Sequence, residues 1–289
     1  MTAVPREGTQ TPTTAAPDNA RSGLEPHILV EKALRVAIPA GMLILVILVW
    51  QRYVTVNEVP HYILPSPVRV AEAFASDWPV LIGALWVTLQ ITLTALAAAL
   101  VTGVLLAILM TQSRWIELAI SPYAVTLQVT PVIAIAPLIL IYTPNTATAL
   151  LICAWIVAFF PILSNTTQGL KSTDHNLLNL FELYGASRWQ TLLFLRLPSA
   201  LPYFLAGLRI AGGLALIAAV VAEFAAGTAG AGSGLAFRIL ESGYRLNIPR
   251  LFAALVLLSV TGVVIYGATS FVSYLLLRKW HESAIKREN

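Results

Sequence analysis

Residues 171–202 read KSTDHNLLNLFELYGASRWQTLLFLRLPSALP, a polar, helix-forming stretch set into a sequence that is otherwise membrane-like. Thr173 and Asp174 carry side-chain oxygens suited to accept the first free N–H groups of a helix. Leu177, Leu178, Leu180, Phe181 and Tyr184 then recur at helical spacing and give that helix one apolar face. Gly185 ends it, because a residue without a Cβ adopts the left-handed C′ conformation at little cost. Ser187 and Gln190 have capping-box spacing, so a second short helix is predicted to begin at Arg188 and Trp189. The reading is helix, tight turn, helix, with Lys171, Asp174, Glu182, Arg188 and Arg196 distributed along it. Such a loop is built to contact another surface.

The sequence on either side sets the class. Of 289 residues, 57% are hydrophobic and 11% charged, where soluble domains carry about 25% charged residues. With a mean hydropathy of +0.78, the chain reads as an all-α integral membrane protein. Cys153 is the single cysteine, which excludes a disulfide framework or a cysteine metal site within one chain. The net charge of +4 reports orientation in such a protein rather than nucleic acid.

Leu118 to Leu170 runs 53 residues without a charge, too long for one helix when the hydrocarbon core needs about 20. It is therefore divided into two spans at Pro144 and Asn145. Pro122, Pro131 and Pro137 fall in the first of these, which is expected to be bent or locally unwound. Trp78 to Ser113 is another uncharged run, of 36 residues. Six spans result, at about 33–54, 79–111, 118–142, 147–168, 199–224 and 251–277, with the polar loop 171–198 between the fourth and fifth. Residues 1–31, rich in Thr, Pro and Ala, read as a disordered tail, and 281–289 as a second, charged tail. Gly227 to Gly234 reads as a flexible or re-entrant loop, followed by an amphipathic stretch from Leu235 to Arg250.

Six spans put both termini on one side. With that side inside, twelve Lys and Arg are cytoplasmic (Arg6, Arg21, Lys32, Arg35, Arg114, Lys171, Arg188, Arg196, Arg278, Lys279, Lys286, Arg287). Five are external (Arg52, Arg69, Arg238, Arg245, Arg250), and Arg209 lies within a span. The excess predicts cytoplasmic termini and a cytoplasmic loop at 171–198.

No stretch supplies the Gly, Lys and Ser/Thr spacing of a phosphate loop. The glycines at 227, 230, 232 and 234 have no Lys among them and miss the dinucleotide fingerprint. His27, His61, His175 and His281 are scattered without metal-ligand spacing. No nucleophile, base and orienter cluster in the sequence, so neither a catalytic site nor a cofactor or metal site is expected. A DNA-binding reading of the two loop helices fails on their position between spans and their few basic residues.

Two ionisable residues, Arg209 and Glu223, sit in the fifth span, where a charge in hydrocarbon is costly and must face protein or water. Fourteen residues apart, they are separated by about 21 Å along the axis and fall within about 40° of one face. They are candidates for lining one pathway; the alternative is that Arg209 snorkels or pairs structurally and that Glu223 is a helix-end residue at the outer interface. Gly207, Ala211, Ala215 and Ala219 repeat small residues every fourth position on the same span, the pattern of close helix packing.

Counting on from Gly185, nine residues intervene before Leu195, followed by Arg196, Leu197 and Pro198. This resembles the signature loop of importer-type ABC transporter permeases: Glu-Ala-Ala, three residues, Gly, nine residues, an aliphatic, one residue, Leu-Pro. Gly185-Ala186-Ser187-Arg188-Trp189, Leu197-Pro198-Ser199-Ala200-Leu201-Pro202 and Gly207-Leu208-Arg209-Ile210-Ala211 resemble the branch serving sulfonate, taurine and nitrate, itself similar to permeases for pyrimidine vitamin precursors. Leu64-Pro65-Ser66-Pro67 and Glu223 ahead of a Gly-rich loop extend the resemblance over about residues 60–280. It implies a permease of a bacterial inner membrane with no ATPase site of its own. The implied partners are a second permease copy in a homodimer, cytoplasmic ATPase subunits that hydrolyse ATP, and an external solute-binding protein. The loop would be the ATPase-coupling element, carried by Asn179, Phe181, Glu182, Gly185, Ala186, Ser187 and Arg188. One departure stands out. The family's Glu-Ala-Ala positions fall on Asn179, Leu180 and Phe181, with Glu182 one step later and about 100° around the helix, so the polar contact falls to either Asn179 or Glu182. The competing reading is an ion-coupled secondary transporter, which needs coupling carboxylates near the bilayer centre. Glu223, near a helix end, is a weak candidate for that role, and no inverted repeat is evident.

Overall fold

The computed structural model describes residues 26–227 and 232–278, the side chains of 26–33 and 36 excepted. Residues 1–25 of the expected tail at 1–31, residues 228–231 of the expected glycine-rich loop and the whole expected charged tail at 281–289 lie outside the described residues. The chain divides into two units, one up to Trp50 and one from Gln51 onward. The first unit is occupied by most of α1 (Pro26–Val56), a 31-residue helix that takes in residues 26–31 of the expected tail and runs through Pro39.

In the second unit every described element is helical. Ser66 caps α2 (Pro67–Ser76) by accepting the Arg69 N–H, with Pro67 in the first helical position. A proline there sacrifices no hydrogen bond, since that N–H has no intrahelical partner. After Asp77 the uncharged run folds as a single long helix, α3 (Trp78–Gln112). The next run is bent, as expected, but at Pro131 alone, Pro122 and Pro137 lying inside helices. α4 (Arg114–Val129) ends at Thr130, α5 (Val132–Tyr142) starts after Pro131, and the two meet at a bend of 101°. Proline at 131 has no N–H to continue the helix and pushes Thr130 into extended backbone (ψ 121°). Asn145 then caps α6 (Thr146–Lys171), its side chain accepting the Ala147 N–H at 2.9 Å.

The polar loop supplies α7 (His175–Leu183), α8 (Arg188–Thr191) and a π-helical turn at Leu192–Arg196 that feeds straight into α9 (Leu197–Ala226). α10 (Leu235–Tyr244) and α11 (Ile248–Leu277) complete the chain. Among the described residues, five helices are long and apolar enough to cross a membrane, and the bent α4–α5 pair makes a sixth if taken as one span.

The centre is a stack of α3, α6 and α9, with α6 and α9 forming the most extensive pair among the described residues. Ala99, Ala107, Ile162, Ala211 and Ala215 are fully buried there. Small residues make the approach possible, as the four-residue repeat on the fifth span predicts. A Cβ on Gly207 would stand 2.7 Å from the Pro161 carbonyl oxygen, and one on Gly169 would stand 2.9 Å from Ala200 Cα. These are contacts with backbone, which has nowhere to go. The loop is thus hung between the two helices least able to slide past each other.

Candidate functional site: the hairpin between α6 and α9

Local chemistry fixes the hairpin's shape. Of the two candidate caps, Asp174 does the work, accepting the Asn176 N–H at 2.8 Å, while the Thr173 hydroxyl turns back to the Leu170 carbonyl. Gly185 takes φ +67°. Around it the Gly185 N–H reaches the Glu182 carbonyl and the Ala186 N–H reaches the Phe181 carbonyl, both at 2.9 Å, the paired bonds of a Schellman motif. Two residues on, the capping box is complete: the Gln190 N–H donates to Ser187 Oγ at 3.3 Å and the Ser187 N–H donates to Gln190 Oε1 at 2.7 Å. Turn and restart are therefore saturated by their own sequence, and the hairpin keeps its form without a core beneath it.

No residue of α7 is buried. Leu177 and Leu180 are exposed, Leu183 and Tyr184 almost wholly so at 83% and 84%, and Trp189 on α8 at 67%. These large apolar side chains stand exposed on a scaffold capped at both ends of its turn. The opposite side of the hairpin is polar. Leu178, Glu182, Gly185 and Ala186 line a recess with Arg188, Thr191 and Arg196, closed by Thr111 and Gln112 at the end of α3. Residues 178, 182 and 185 share a helix face. Glu182 thus shares a recess with two arginines, one of which, Arg196, has a buried Nε without a partner among the described residues. Asn179 lies a step around the helix, exposed, outside that recess, and Phe181 is half-buried.

The two candidate pathway residues of α9 enter separate environments. Glu223 is only 3% exposed. Its Oε1 accepts the Thr88 hydroxyl of α3 at 2.7 Å, and its Oε2 accepts the Ala236 N–H at the start of α10 at 3.0 Å. Thr88 Oγ1 in turn accepts the Leu235 N–H at 2.9 Å. Two of the orphan donors at the α10 N-terminus are met this way. Gly234 makes room, since a Cβ there would stand 2.2 Å from the Glu223 carboxylate. The carboxylate thus faces a helix end rather than an open path, because both its oxygens are taken by neighbours. Arg209 turns to α11, its guanidinium 5.9 Å from the centre of the Tyr266 ring, with Nε buried and unpartnered among the described residues.

The sequence reading did not single out Thr88, which looks like any hydroxyl in an apolar helix. It also passed over the pair at the same end of the bundle, where Arg250 Nε and Nη2 each donate to the Asp77 carboxylate at 2.6 Å. A signal for that pair was present: each residue borders an apolar span at the end remote from the hairpin.

A bundle of membrane-length helices, one of them broken, with a capped and exposed hairpin carried between two of its most tightly packed helices, defines a multi-pass membrane transport subunit. The chain belongs to the family described as binding-protein-dependent transport system inner membrane component, whose model matches residues 99–282. It is 34% identical over 249 residues to the riboflavin transport system permease protein of Chloroflexus aurantiacus, covering 83% of this chain and 89% of that one. It is 32% identical over 240 residues to the formylaminopyrimidine transport permease protein of Halalkalibacterium halodurans, covering 83% and 94%. Against the taurine transport system permease protein of Escherichia coli the identity is 28% over 233 residues, covering 78% and 83%. Among solved structures, an amino acid ABC transporter crystallised with histidines superposes with a TM-score of 0.58 at 18% identity, over 71% of this chain and 96% of that one. The protein is a permease subunit of an ABC importer for small nutrients, as the family and its named relatives define it, and family membership brings ATPase and solute-binding partners with it.

Proposed function

We propose that this permease works as a homodimer whose hairpin at 171–198 docks on separate cytoplasmic ATPase subunits, with both termini on the same side as the hairpin. The ATP is hydrolysed by those partners, and this chain supplies the path for the solute. The observation that carries the reading is the exposed apolar surface of α7 and α8 on a self-capped hairpin attached to the most closely packed helix pair. Burying one large apolar side chain there contributes about 1.5–3 kcal/mol, so a few such contacts suffice to hold a partner. Motion of the docked hairpin passes into α6 and α9 together, because Gly169 and Gly207 seat each helix on the other's backbone. The closing of the ATPase pair would then shift the bundle between inward- and outward-open states through contacts that differ in each.

Within the hairpin, Gly185, Ala186, Ser187 and Arg188 set the turn that the partner must recognise. Glu182, rather than Asn179, shares the recess with Arg188 and Arg196 and is the candidate for the polar contact on that side of the hairpin. Asn179 and Phe181 border the docking face. Glu223 acts as a tie at the far end, and Arg209 remains the candidate for contact with a solute. The solute belongs to the class of small nutrients transported by the relatives, riboflavin and formylaminopyrimidine above all. Reconstitution with the ATPase and binding protein tests the reading: uptake should require ATP, and uptake driven by an ion gradient alone would support a secondary transporter instead.

A further inference from the structure

In an apolar helix, a Ser or Thr hydroxyl ordinarily donates to the carbonyl one turn back. Thr92, Thr102, Thr126 and Thr261 do so here at 2.7–2.8 Å. The polar side chains facing one another across α4 and α6 behave differently. Thr167 Oγ1 is buried with no partner among the described residues. Ser121, Ser164 and Gln168 likewise make no side-chain hydrogen bond there. These four groups converge on a cleft of about 530 Å³ whose wall is otherwise largely apolar, with Phe160, Leu163 and Met110 contributing, apart from Glu117, Lys171 and Ser172. Known small-molecule sites occupy about 300–1,000 Å³ and combine an apolar lining with a few convergent polar groups.

The charges in this cleft cancel. Glu117 and Lys171 are the two ionisable groups lining it, and they pair with each other across it. An anion entering would lose its water and find no unpaired cation, which is costly. A neutral molecule would meet hydroxyl and carboxamide groups able both to donate and to accept, beside an aromatic ring. Lys171 is the last residue of α6 and leads directly into the hairpin, so the cleft lies next to the element that would move.

We infer that the cleft between α4 and α6 is a solute station for an uncharged heterocycle with hydrogen-bonding edges, rather than for a sulfonate or nitrate. The inference rests on the importer reading for the solute's arrival, and on the cleft alone for its chemistry. Cys153 is the single cysteine, so a Cys153→Ala background carrying Ser121→Cys can be labelled at the cleft by a membrane-permeant maleimide. The permease would be reconstituted in vesicles with its ATPase and binding protein, and probed with riboflavin, formylaminopyrimidine, methanesulfonate and nitrate. A heterocycle should slow labelling and the two anions should not. Thr167→Val should raise the KM for heterocycle uptake by about fivefold, one hydrogen bond's worth, while maximal uptake and ATPase rates persist; Ser164→Ala serves as the second variant. Protection by the anions overturns the inference, as does ATP-driven heterocycle uptake without protection, or no protection by any probe. Protection by a heterocycle without any ATP-driven uptake would leave the cleft standing and strike at the importer reading instead.

Discussion

Glu223 and Thr88, 135 residues apart in sequence, meet through a 2.7 Å hydrogen bond and between them receive the first two N–H groups of α10. Three helices are joined at one buried point. Truncating Glu223 to Ala strands the Ala236 N–H and frees the Thr88 hydroxyl, at a cost of about 1–3 kcal/mol for each buried group left unpaired. Glu223→Gln keeps one acceptor and should cost less. Gly234→Ala should damage the same point by driving a methyl into the carboxylate. Melting of the purified permease in detergent is the check, and the two defects should be strongly non-additive when combined. Simple addition would mean that the two residues do not share a site.

Gly185 has open space around the position of a Cβ, so its substitution acts through the backbone alone. At φ +67° a non-glycine residue is penalised by about 1–2 kcal/mol and a β-branched one by more. Gly185→Val should therefore reshape the hairpin and cut ATP-driven uptake at least about tenfold, with loss of ATPase co-purification but little change in melting temperature. Gly185→Asn, which tolerates the left-handed region, should keep much of the activity. Full activity in the valine variant would sink the coupling assignment.

Asp77 and Arg250 form a two-pronged pair at the far end of the bundle. The Arg250 guanidinium bonded to Asp77 holds its carboxyl below the usual 3.8, with burial pulling the other way. Because the folded value is the lower one, the stabilisation is fully present above the ordinary carboxylate value. It is lost as pH falls through the folded value. Asp77→Asn should lower stability by about 1–3 kcal/mol at neutral pH, and the gap to the native chain should hold down to about pH 5 and close under stronger acid. A gap that widened on acidification would contradict the pairing.

Gly169 and Gly207 stand where a methyl would collide with backbone, while Gly213 and Gly267 have nothing within 4 Å of a Cβ. Alanine at either of the first two should destabilise the α6–α9 pair by about 1–3 kcal/mol, and alanine at the latter two should be neutral or mildly stabilising in a helix. The four variants, compared by thermal unfolding and by uptake, test whether close helix contact is what ties the hairpin to the bundle. Equal behaviour across the four would show that it is not.

The amino-acid sequence by itself determined the membrane class, a bend within the proline-bearing third span, the caps of the hairpin and its turn at Gly185. Each depends on interactions within about one helical turn or on the average polarity of a segment, and both are written in consecutive residues. Tertiary structure alone decided that Glu223 binds Thr88 and a helix end, that Arg209 lies over Tyr266, that Arg250 grips Asp77, and that Glu182 rather than Asn179 shares a recess with Arg188 and Arg196. Helical periodicity placed Arg209 and Glu223 on nearly one face, but a face has no meaning until it is known which helices lie against it. With α3 and α10 at one end of α9 and α11 beside its middle, the same face meets a hydroxyl and a backbone donor at one level and an aromatic ring at another. The hydroxyl and the ring are 135 and 57 residues away from Glu223 and Arg209 in the chain, and the packing of small residues between helices brings them together.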